Sequence, residues 1–208
     1  MIRGVFLADG PSDLPLGDHL LSLCVERDVE LVLTSVDPHR VPTTGRSVES
    51  RLRFLVKESD PFDIAFVHRD AEGEPPESRF EEITTAGSAA GVTAPLVPIV
   101  PVRMTEAWLL LDELEIRTVA GKPRSTTPLN LPSHREVERL ADPKKKLAEV
   151  LLAASCTKGR RRDLFKRDFQ RHRALLLSRL DRSGPVTKLK AWQRLQTDLD
   201  AALALLGL

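Results

Sequence analysis

Three carboxylates sit where an apolar run of strand type gives way to a turn: Asp9 after residues 2–8, Asp70 after residues 63–68 and Glu106 after residues 96–102. If those runs are parallel strands, their carboxyl ends share one sheet edge, where open α/β folds place ligands and metals. Asp13 lies about one helical turn beyond Asp9, and Glu72 lies two residues beyond Asp70, so both add carboxylate to that edge. Clustered carboxylates repel one another unless a cation lies between them. Hard oxygen donors select Mg²⁺ or Mn²⁺, which keep several waters and bind phosphate beside a few carboxylates. Such an ion polarises a phosphodiester and activates a bound water, so the expected chemistry is phosphodiester cleavage. His68, at the end of the third run, is a candidate general base with an unperturbed pKa near ~6.5. Each acid also has a structural use: Asp9 or Asp13 as a helix cap, Asp70 as a turn residue before Gly73, Glu106 as a favourable charge at a helix N-terminus. Ser12 has no recognisable His/Asp relay, which argues against nucleophilic hydrolysis.

The elements that must position these residues follow from periodicity. Apolar runs at 2–8, 29–36, 63–68 and 96–102 alternate with helical patterns at Leu14–Val25, Arg46–Glu58 and Glu77–Ala90, and a short apolar helix follows at Met104–Asp112. That order predicts an α/β fold with a four-stranded parallel sheet and helices on both faces. Asp37–Gly45 reads as a loop, Asp60-Pro61 ends the second helix, and Pro75-Pro76 opens the third. Pro98 and Pro101 argue for an edge or irregular fourth strand. Residues 117–133, with Pro123, Pro128 and Pro132, read as a loop, and the architectural boundary falls there. The expected organisation is an α/β domain over 1–116 and a basic helical extension over 117–208 packed on it. The extension carries helical patterns at Ser133–Leu140, Pro143–Ala154, Arg161–Leu180 and Lys188–Leu206. Ser133 with Glu136 forms a capping box, and Asp142 caps a helix opened by Pro143.

Charge divides the chain in the same way. Residues 1–112 hold 10 Lys and Arg against 19 Asp and Glu, whereas residues 113–208 hold 21 against 11. An acidic half beside a basic half suggests a metal site next to a polyanion-binding surface, or two halves that attract each other. The candidate cationic residues are Lys144, Lys145, Lys158, Arg160, Arg161, Arg162 and Lys166, continuing into Arg167, Arg171 and Arg173. A basic loop leading into a basic helix matches a phosphate-backbone footprint, and a solvated helix face is the competing use. No base-reading motif is present, so binding of DNA or RNA is expected to tolerate any sequence. Aromatics make up only 4%, with no Tyr, which weakens any reading built on base stacking. Trp108 and Trp192 read as core, and His19, His39, His134 and His172 as surface residues. Cys24 and Cys156 lack zinc spacing and are not expected to pair. No segment approaches the ~18 apolar residues of a membrane span, and the N-terminal apolar run is too short for a signal peptide, so a cytoplasmic protein is expected.

The strand-end acids resemble the Toprim fold shared by type IA topoisomerases, primases and overcoming-lysogenization-defect nucleases. There an acid closes the first strand in a Glu-Gly-type motif and an Asp-x-Asp motif closes the third. Here the first motif is Asp9-Gly10-Pro11-Ser12-Asp13 and the second is His68-Arg69-Asp70, with His68 where the first Asp is expected. More closely, the chain resembles domain-of-unknown-function family 4276, a set of Toprim-like bacterial proteins. The resemblance is carried by Glu106-Ala107-Trp108-Leu109-Leu110-Leu111-Asp112 and by Asp142-Pro143-Lys144-Lys145-Lys146-Leu147, and it spans most of the chain. It implies metal-dependent nuclease chemistry on nucleic acid, in phage defence or a mobile element. Asp9, Asp70 and Glu106 would hold Mg or Mn, Asp13 or Glu72 would complete the shell, and His68 would assist. His68 suits Mn²⁺ or Zn²⁺ better than Mg²⁺. The alternative is a non-catalytic Toprim-like module that binds nucleic acid or a partner protein.

Overall fold

The computed structural model describes residues 1–37, 47–58 and 60–208. The loop expected after Asp37, including His39, and the helix start expected at Arg46 lie outside the described residues. Four strands, β1 (Ile2–Leu7), β2 (Leu31–Val36), β3 (Ile64–His68) and β4 (Leu96–Ile99), form one all-parallel sheet in the order β2-β1-β3-β4. Ile2 pairs with Leu31, Gly4 with Ile64 and Ala65 with Leu96 at the starts of the three ladders. Every residue of β3 is buried, as expected of a strand covered on both faces. β4 is an edge strand, where Pro98 has an open side that needs no N–H.

Alternation along the strands builds two cores. Phe6, Ile64 and Phe66 pack on one face, against Leu16, Leu20 and Leu23 of α1 (Leu16–Val25). Val5, Leu7, Ala65 and Val67 pack on the other, against Leu52 and Leu55 of α2 (Val48–Glu58) and Ile83 of α3 (Pro76–Ala90). The α/β sheet with helices on both faces is therefore as the periodicity predicts.

The remaining helices are α4 (Glu106–Leu109), α5 (Glu113–Val119), α6 (His134–Val137), α7 (Pro143–Ser155), α8 (Gly159–Arg167), α9 (Phe169–Ser178) and α10 (Lys190–Leu205). Trp108, Ile116, Leu147, Leu177 and Leu195 join the core that Phe6 and Phe66 begin. Trp108 and Trp192 are fully buried and meet edge to face, with centroids 5.3 Å apart and planes at 87°. The expected caps form: Ser133 and Glu136 close a capping box, and the Asp142 carboxylate accepts the Lys145 N–H at 2.8 Å.

Three expectations change. α5 runs into the stretch read as loop from residue 117, capped by Asp112 accepting the Glu115 N–H at 3.0 Å. The helix expected over Arg161–Leu180 is two, broken at Asp168, because α8 buries no residue while α9 turns Arg173, Leu176 and Leu177 into the core. His19 is not a surface residue: it is buried, and its Nε2 lies 2.6 Å from the Leu177 carbonyl, tying α1 to α9. Burial pushes its pKa down. Both cysteines are free. Among the described residues no helix is long and apolar enough to cross a membrane.

Candidate functional site

The carboxyl ends of β1, β3 and β4 are neighbours, because these strands are adjacent and parallel. Beyond the sheet the chains leaving β3 and β4 stay paired. The N–H groups of Arg69, Ala71 and Glu72 donate to the carbonyls of Ile99, Pro101 and Arg103 at 3.0, 3.2 and 2.9 Å. That pairing brings Asp70 beside Thr105. Asp70 Oδ1 accepts the Thr105 N–H at 3.0 Å and the Thr105 hydroxyl at 3.2 Å. The turn then closes through Glu72 and Gly73, both at positive φ (52° and 103°).

His68 is the hub. It is buried at the end of β3, with Nε2 3.0 Å from Thr105 Oγ1 and 3.4 Å from Asp70 Oδ1. On its other side, Nδ1 lies 3.4 Å from the Asp9 N–H donor nitrogen and 3.8 Å from Asp13 Oδ2. A bare Nδ1 accepts the Asp9 N–H; a protonated one turns to Asp13. Burial alone pushes the His68 pKa down, but the hydrogen bond to Asp70 and the charges of Asp13, Asp70 and Asp9 outweigh it and raise the pKa. In the structure Nδ1 accepts the Asp9 N–H, and the Asp13 carboxylate lies just beyond hydrogen-bond reach.

Each remaining carboxylate is met by an arginine. Arg173 of α9 is 3% exposed and reaches across the molecule to Asp13 and Glu106. Its Nε donates to Glu106 Oε1 at 2.8 Å, and its terminal nitrogens donate to Asp13 Oδ1 and the Ser12 carbonyl, both at 2.6 Å. Asp13 also accepts the Gly10 N–H at 3.2 Å, fixing the turn after β1. Arg69 donates to Asp9 Oδ1 at 2.6 Å and lies 3.7 Å from Glu82. Arg79 donates to the Asp70 carbonyl at 3.2 Å and to Glu82 at 2.8 Å.

The structure thus brings together Asp9, Asp13, His68, Asp70 and Glu106. Glu72 stands apart: it is 57% exposed and 3.6 Å from Arg79. The cations inside the cluster are the chain's own. Arg173 occupies the space between Asp13 and Glu106 that a bridging divalent ion would need, and Arg69 takes Asp9. Among the described residues no three His, Cys, Asp or Glu side chains are arranged to hold a metal together. In this arrangement the donor set does not fit a resident Mg²⁺ or Mn²⁺. Two atoms depart from that closure: Glu106 Oε2 and Arg69 Nε are buried with no hydrogen-bond partner.

Arg173 reads from sequence as part of the basic footprint, and the structure removes it from that surface. Its signal was present: Leu176 and Leu177 follow it at i+3 and i+4, which puts it on the buried face of its helix. Thr105 carried no sequence signal beyond its place before Glu106. Lys144, Lys145, Lys158, Arg160, Arg161, Arg162 and Lys166 are all exposed, on the first turn of α7 and along α8. Compared with protein-family models, curated proteins and solved structures, the chain matches none.

Proposed function

We propose that this chain is a Toprim-like, non-catalytic module that grips the phosphate backbone of DNA or RNA in the cytoplasm without reading base sequence. One observation carries the reading. Among the described residues, Lys144, Lys145, Lys158, Arg160, Arg161, Arg162 and Lys166 are exposed and form no ion pair, whereas Arg69, Arg79, Arg173 and Arg179 are all paired with acids. Exposed cations without internal partners are free to neutralise phosphates and release counterions. α8 begins without a side-chain cap, so its first N–H groups add to the same positive end.

Fluorescence anisotropy with a labelled oligonucleotide tests this. Binding is expected to fall steeply with salt and to persist in EDTA. Exchanging Arg161 and Arg162 for Glu is expected to weaken it at least about tenfold and to lower the salt slope by about 1 per lost phosphate contact. Affinity unchanged by that double reversal would end the proposal.

Metal-dependent phosphodiester cleavage, in phage defence or a mobile element, is the second reading. The convergence of Asp9, Asp13, Asp70 and Glu106, with Glu106 Oε2 left unpartnered, favours it. It requires Arg173 and Arg69 to release their carboxylates. Cleavage in Mg²⁺ or Mn²⁺ that is abolished by Asp70→Ala would establish it; no cleavage in either ion, or cleavage that survives the substitution, would sink it.

A further inference from the structure

The cationic surface is not uniformly polar. Between α7 and the α8–α9 corner lies a cleft of about 220 Å³ whose lining includes Leu151, Leu152, Phe165 and Phe169, with Lys145 and Lys166 also contributing. Its α7 wall is one stripe: Lys145, Ala148, Glu149 and Leu152 recur at i, i+3, i+4 and i+7. The opposite wall is formed by Phe165 of α8 and Phe169 of α9, one on either side of the break at Asp168. Phe165 is held by stacking on His172, with centroids 4.1 Å apart and planes at 18°.

We infer that this cleft receives one unpaired nucleobase, which makes single-stranded nucleic acid the substrate class of the cationic face. The inference rests on the phosphate-binding reading above. Its volume is below the ~300–1,000 Å³ of ordinary ligand pockets, so it suits a single flat ring rather than a folded segment of another protein. A nucleotide joins an apolar, flat base to a phosphate by one sugar. The cleft has the matching layout: an aromatic and aliphatic interior with unpaired lysines beside it, and Arg162 one turn from Lys166 on α8. Glu149 is the one carboxylate of the lining; it excludes a phosphate from the interior and accepts an N–H from a base edge. The chain has only seven Phe and no Tyr, too few for a broad stacking surface, yet two of the seven meet here. In a duplex the bases are stacked and paired, so only a single strand can offer one without the cost of extrusion.

Three labelled probes test this in the full chain: a single-stranded oligonucleotide, its duplex, and a strand of the same length made of abasic sites. The ordinary strand is expected to bind about tenfold more tightly than the abasic one, the typical worth of a stacked base. Ala148→Trp fills the cleft without removing any packed side chain and is expected to narrow that gap; Phe169→Ala should do the same where it folds. Equal binding of the ordinary and abasic strands, or tighter binding of the duplex, overturns the base pocket while leaving the phosphate-binding reading intact. Failure of all three probes overturns both. A Glu- and Leu-rich peptide that binds when the strand does not would reassign the cleft to an acidic protein partner and would also overturn the inference.

Discussion

Arg173 shows what a single side chain decides here. Its guanidinium meets two buried carboxylates and a carbonyl, so the charges of Asp13 and Glu106 are compensated without an external ion. Removing one member of a buried ionic group leaves the others charged and unpaired, at a cost of about 3–5 kcal/mol. Arg173→Ala is therefore expected to lower unfolding stability by about that amount in urea titrations; a loss near zero would mean the cluster is solvated or otherwise paired. Arg173→Lys should recover only part, because an ammonium lacks the planar fork that serves three acceptors. His68 adds a pH dependence. Its folded pKa is raised by Asp70, Asp13 and Asp9 against the effect of burial, with Arg173 neutralising Asp13 on the far side. A raised folded pKa stabilises fully below the unfolded value, near ~6.5, and that contribution is lost as pH rises through the folded pKa. As pH rises from ~6.5, the denaturation midpoint is expected to fall in the wild type and to fall less in His68→Asn. Parallel curves would show that His68 does not ionise in this range.

At the scale of elements, the signals written locally in the chain mostly held. Prolines marked the start of α3 and α7 and the edge strand β4, and the capping box before α6 formed at Ser133 and Glu136. These features act within about one turn of the backbone, so neighbouring residues suffice to specify them. The Asp142 cap orients the first turn of α7, which carries Lys144 and Lys145. Asp142→Ala is expected to cost about 1 kcal/mol of stability and to weaken oligonucleotide binding only slightly, as read by thermal melting and anisotropy together. A large loss of binding at unchanged stability would instead make Asp142 part of the interface. The break between α8 and α9 was not legible, because Arg161–Leu180 has no Pro or Gly to signal it. It follows from what each half must face: solvent for α8, the core for α9.

At the scale of the molecule, one core joins the sheet to the later helices. Trp108 and Trp192 meet within it although 84 residues separate them in the sequence. Trp192→Ala is expected to cost about 3–5 kcal/mol, the usual range for an aromatic removed from a close-packed interior, and to destabilise β1 and β3 as well as α10 in hydrogen exchange. Faster exchange confined to α10 would show that the helical part yields independently of the sheet.

The sequence by itself determined the alternation of strands and helices, the parallel sheet, the placement of Asp9, Asp70 and Glu106 after strands at one sheet edge, and the concentration of Lys and Arg at 144–167. Periodicity and turn residues carry that information because they reflect which side of a strand or helix is buried. Only the tertiary structure decided how the acids are neutralised. Asp13 and Arg173 lie 160 positions apart, Glu106 and Arg173 lie 67 apart, and no local rule links them. The sequence reading supplied clustered carboxylates with an external cation. Packing α9 against the turn after β1 supplied an internal one, because a buried guanidinium must find acceptors and buried carboxylates must find donors.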